Sequence, residues 1–207
     1  MDRFSFFFAF YSLILGLAIT EILSGFGRYV RSRSTHKLGA QTSLLALFTF
    51  LSIAATWIDA FSTLQSIRLD VPSLWAPILT STFYYLAATV VFPSNTADFD
   101  HLDAYYRQRK RFVVGLLLTC ELLATYSYWP LIVKNFHDSR AASILFYIPT
   151  NIVLKGSYVG LLVAKGRRAN LAFLSILIFL LLFFYWDNGS IAAMIQQKYG
   201  SAWNASR

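Results

Sequence analysis

The sequence predicts an all-α, polytopic integral membrane protein of six transmembrane helices joined by short loops. Composition is the first observation behind it. Hydrophobic residues make up 57% of the 207 and charged residues only 14%, against about a quarter charged in soluble proteins. Mean hydropathy, the second, is +0.53. The third is run length. Residues 38–58, 71–97 and 170–186 hold no Asp, Glu, Lys or Arg, and a run of ~20 residues is what a helix needs to cross hydrocarbon.

The same observations exclude other classes. The apolar load rules out disorder, and the single cysteine, Cys120, rules out a disulfide scaffold. An outer-membrane barrel needs period-two alternation, whereas these stretches are continuous blocks.

Six spans account for the runs: residues 4–27, 38–64, 73–92, 112–133, 141–164 and 169–186. Each has the ~17–25 residues required, and each must satisfy its own backbone, so each is expected to be helical. The first is read as a span and not a signal peptide. It is longer than an h-region, Asp2 dilutes the basic start, and no small-x-small cleavage site follows. One transmembrane domain, residues 1–207, is expected, without a separate soluble catalytic domain.

Basic residues set the expected orientation. Arg28, Arg31, Arg33 and Lys37, then Arg107, Arg109, Lys110 and Arg111, then Lys165, Arg167 and Arg168 give eleven on one side. The other side has six: Arg3, Arg68, Lys134, Arg140, Lys198 and Arg207. The positive-inside rule puts the odd loops in the cytoplasm and both termini outside. A bacterial-type cytoplasmic membrane is the expected home, with anionic head groups at the inner face as partners. Nucleic acid is not expected, because the bases flank spans and form no aromatic-interleaved patch.

The loop 93–111 opens with Asp98, Asp100 and Asp103 and closes with Arg107, Arg109, Lys110 and Arg111. Acids at a helix start and bases at its end suit the macrodipole. With Phe99, Leu102 and Tyr106 on one side, a short amphipathic helix on the cytoplasmic surface is expected, solvated and running into the fourth span. The outer loop 134–140 carries His137 beside Asp138. In the tail, 188–207, Ile191, Met194, Ile195 and Tyr199 recur at helical spacing, which predicts a short interfacial helix. Asn188 and Asn204 each stand in a glycosylation triplet, which matters only in a eukaryotic source.

Four ionisable residues interrupt the spans: Glu21, Asp59, Glu121 and Lys155. A charge at the bilayer centre costs about 2.5–3.5 kcal/mol even on the lenient insertion scale, so these are the candidate ion- or proton-handling residues. Counted along the spans, Glu21, Glu121 and Lys155 share an inner depth and are expected to line one site; Asp59 lies near the outer boundary. Thr20, Ser52, Thr56, Thr125, Asn151 and Tyr158 are the candidate polar lining. On the second span, Thr42, Thr49, Ser52, Thr56, Asp59 and Thr63 form one hydroxyl-rich stripe. On the first, Ser12, Gly16, Thr20 and Ser24 form a small-residue stripe of the kind that seams helices together.

Catalytic chemistry has no support. His36, His101 and His137 all lie in loops, and no H-E-x-x-H, G-x-S-x-G, P-loop or dinucleotide pattern occurs. No enzyme activity, metal or cofactor is expected. A glycine–tyrosine potassium filter is missing too. Residues 20–26 resemble 120–126, but inverted halves would carry Glu121 to the opposite depth, so no internal repeat is inferred. The expectation is a small transporter or channel for an ion or small solute, working through intramembrane carboxylates and possible as a homo-oligomer. The alternative is a non-transporting scaffold or accessory subunit that binds another membrane protein or a lipid.

Overall fold

The computed structural model describes residues 3–32, 39–64, 71–94, 102–187 and 189–205. Among these every regular element is helical. They are α1 (Arg3–Ser32), α2 (Ala40–Leu64), α3 (Val71–Val91), α4 (Leu102–Ser127), α5 (Trp129–Asp138), α6 (Arg140–Ala142), a π-helical turn (Ser143–Tyr147), α7 (Ile148–Val163), α8 (Arg167–Asp187) and α9 (Ser190–Ala205). Five helices are long and apolar enough to cross a membrane, or six if the bent pair of α4 and α5 counts as one.

The long helices pack in a ring in the order α1, α3, α4, α7, α8 and α2, with α2 also touching α3 and α4. One core runs through them, and Leu15, Ala18, Phe48, Ile53, Ala87, Val113, Leu117, Leu161, Leu174 and Leu177 are all buried in it. Glycine sets two of the closest approaches. A Cβ on Gly25 would lie 2.5 Å from the Phe92 ring, and one on Gly160 would lie 2.5 Å from Phe173. Both positions therefore need a residue without a side chain. Polar ties join the helices elsewhere. The Trp57 indole donates to Ser12 Oγ at 2.9 Å, and the Tyr105 hydroxyl donates to the Val90 carbonyl at 2.9 Å, filling an orphan acceptor at the end of α3.

Two expected spans are interrupted. The fourth was expected to run unbroken through residue 133. Instead α4 ends at Ser127, and the chain bends by 59° before continuing as α5. Pro130 stands in the first turn of α5, where its missing N–H is tolerated and its ring blocks continuation of α4. The expected loop 134–140 is consequently helical through Asp138. In the fifth span Pro149 cannot donate to the preceding turn, and the ladder loosens into the π turn, with Ile148 N–H reaching back to the Ser143 carbonyl. Thr150 Oγ1 and Asn151 Nδ2 donate to the Phe146 and Tyr147 carbonyls at 2.6 and 3.1 Å.

The tail forms the expected helix. Asp187 caps α9 by accepting from Ile191 N–H at 3.1 Å, and Gly189 turns the chain at φ +81°. Gln196 then reaches across to accept from Ala141 and Ala142 N–H at 3.1 and 3.3 Å, which caps α6 and holds α9 against it. Several earlier expectations fall on residues outside the described ones: Asp98, Asp100, Phe99, His36, His101, Arg33, Lys37, Arg68 and Asn188.

Candidate functional site

α4 and α7 lie side by side and bring two of the expected charges together. Lys155 Nζ stands 3.4 Å from Glu121 Oε1, and both side chains are 28% exposed. Attraction at that distance is about 5 kcal/mol at an effective dielectric of ~20, before the desolvation of either group is counted. Asn151, one turn before Lys155 on α7, accepts from the same ammonium at 2.8 Å. Its own amide is held by the Tyr147 carbonyl, so the acceptor oxygen is fixed toward Lys155. On α4, Thr125 Oγ1 donates to the Glu121 backbone carbonyl at 2.8 Å. That bond leaves the hydroxyl proton on the helix and not on the carboxylate.

Behind the pair lies the packed interior. Cys120 is buried with its thiol 3.5 Å from the Thr80 carbonyl. Tyr158 is buried against Phe48, ring centroids 5.7 Å apart, and Thr56 Oγ1 donates to the Tyr84 hydroxyl at 3.0 Å. In front of the pair the surface is open. Asn151 is exposed, and so are Ile148, Ile152, Gly156 and Val159 on the same face of α7.

Asp59 is closer to this site than counting along the spans implied. It lies within electrostatic reach of Glu121, and the Tyr185 side chain from α8 hydrogen-bonds it while its hydroxyl also meets the Ala55 carbonyl at 2.8 Å. Glu121 stands six residues before the end of α4 at Ser127, roughly 9 Å at 1.5 Å per residue.

Glu21 does not join the pair. It sits half-exposed on α1, which packs on α3 and α2, and makes no ion pair with Lys155. Thr20 is exposed too, its hydroxyl turned back onto the Gly16 carbonyl at 2.8 Å. On the α1 small-residue stripe Ser12 meets Trp57 of α2, whereas a Cβ on Gly16 would meet no atom of the described residues within 4 Å. The α2 stripe divides. Thr49 bonds the Leu45 carbonyl at 2.8 Å, whereas the Thr42 and Ser52 hydroxyls are buried without a hydrogen-bond partner among the described residues. The side chain of Thr63 is outside the described residues.

One residue that sequence reasoning left in solvent is buried. Lys110 donates to the Ala164 carbonyl at the end of α7 and to Asn170 Oδ1 at 3.0 Å. Leu102 and Tyr106 are buried with it. The i, i+4, i+8 spacing of the three was the available signal, and the run of neighbouring bases hid it.

Apart from these polar groups, a crevice of about 240 Å³ between α1 and α2 is lined by Ile22, Leu23, Phe26, Ala46, Leu47 and Phe50. Its walls are almost wholly apolar. Among the described residues no group of three or more His, Cys, Asp or Glu is placed to hold a metal ion. Compared with known protein families, curated proteins and solved structures, the chain matches none of them.

Proposed function

We propose that the chain is a six-span membrane protein that moves an ion or small solute, with Glu121 as the protonatable or ion-binding residue. In this reading α4 and α5 form one broken span, both termini lie outside, and the home is a bacterial-type cytoplasmic membrane. The observation that carries it is the contact of Glu121 with Lys155 beside Asn151, with Asp59 in electrostatic reach. A proton or a small cation that takes the Glu121 carboxylate releases Lys155 from it, and the part-exposed pair gives such an ion a way in. Lys155 then acts as a tethered competitor that re-forms the pair when the ion leaves.

A second reading, a scaffold or accessory subunit, is favoured by the position of the site at the edge of the bundle, next to exposed apolar side chains. Reconstitution in liposomes with a pH-sensitive dye and a panel of ions separates the two. Flux lost in Glu121→Gln and retained in Glu21→Gln is the expected result. Flux that ignores Glu121, or no flux under any gradient, overturns the transport reading.

A further inference from the structure

We propose that two copies of this chain associate through the outward face of α4 and α7, so that the Glu121, Asn151 and Lys155 groups of the two copies meet across a two-fold axis. This rests on the reading that the helices span a membrane, but not on transport. Asn151 is exposed and Lys155 and Glu121 are each 28% exposed, in the middle of a face otherwise formed by Leu122, Ile148, Ile152 and Val159. Polar groups turned to hydrocarbon are costly, and those found within spans face other helices or water. Something covers this face.

Its chemistry fits a second copy. The face carries one acid, one base and one amide, so it is neutral as a whole and complementary to itself. Two copies with the same membrane orientation are related by an axis along the membrane normal. Each residue then meets residues of the other copy at its own depth, and every such pairing is reciprocal, as an isologous contact requires. Glu121 and Lys155 share a depth because they already touch, so each is level with its opposite in the other copy. Gly156 supplies the close approach. It is exposed beside Lys155, and a Cβ there would meet no atom of the described residues within 4 Å, so no described neighbour requires glycine. A small residue on an outward helix face lets a partner backbone come near.

The test uses the full chain in membranes, with Cys120→Ser as background. Ile152→Cys, 66% exposed on this face, should form a disulfide-linked dimer on mild oxidation. Leu13→Cys, 61% exposed on α1, should not. Gly156→Leu and Val159→Trp should each lower the Ile152→Cys dimer by about ten-fold or more, because they add bulk only at the contact. Either variant serves if the other fails to fold. Linkage through Leu13, capture of a different protein through Ile152, or a dimer indifferent to both bulky variants would overturn the proposal. A dimer without flux defeats the transport reading alone, and flux without a dimer defeats this one alone.

Discussion

Lys110 on α4 donates to the Oδ1 of Asn170 on α8 at 3.0 Å, and Asn170 Nδ2 donates in turn to the Gly166 carbonyl at 3.0 Å. With the further bond from Lys110 to Ala164, the ammonium closes the whole turn between α7 and α8 onto the first third of α4. The last carbonyls of a helix have no partner within it. A lysine offers three donors and no acceptor, which suits a group of bare oxygens.

Lys110→Met should therefore destabilise the bundle by about 1–3 kcal/mol, the usual consequence of leaving buried acceptors unpaired. Arg109→Met, at an exposed neighbouring site, should change stability by less than about 0.5 kcal/mol. Unfolding in mixed micelles measures both. Equal effects would show that Lys110 is merely one more surface base.

How far the sequence carries depends on what kind of signal each element leaves. Run length located every long helix but α4 within about five residues, because an apolar run is itself the signal; α4 begins ten residues before the expected fourth span and ends six before its expected end. Prolines left a weaker mark. Pro130 and Pro149 are visible in the sequence, yet nothing in it says that the first turns α4 into α5 while the second is absorbed by a π turn. Those outcomes depend on what the neighbouring helices allow. The pairing of Lys155 with Glu121 was legible, since a lone lysine in a span needs an acid. The exclusion of Glu21 was not, because a residue's depth says nothing about which way its side chain points around the helix. Lys110 shows the reverse error: a base counted toward topology is also a buried donor.

The Lys155–Glu121 pair yields an asymmetric result. Removing the lysine leaves a carboxylate at mid-helix without its ammonium, and breaking a buried pair on one side costs about 3–5 kcal/mol. At 28% exposure the lower end applies. Lys155→Met should thus destabilise more than the double variant Lys155→Met, Glu121→Gln, in which no charge is stranded. Thermal or denaturant unfolding of the four members of the cycle gives the coupling. A double variant as unstable as the sum of its parts would mean that the two side chains do not depend on each other.

Orientation is open to a chemical test that does not touch the site. Lys165 and Asn135 are both exposed, and the helix between them, Arg140–Val163, is 24 residues long, roughly 36 Å at 1.5 Å per residue. That is enough to cross a bilayer core of ~30 Å. The eleven-to-six distribution of bases predicts Lys165 on the cytoplasmic side and Asn135 outside. In a Cys120→Ser background, Asn135→Cys should react with an impermeant maleimide on intact cells. Lys165→Cys should react only after the membrane is opened. The opposite pattern would invert the topology. Reaction of both on intact cells would mean that Arg140–Val163 does not cross, and the charge count would then no longer carry an orientation.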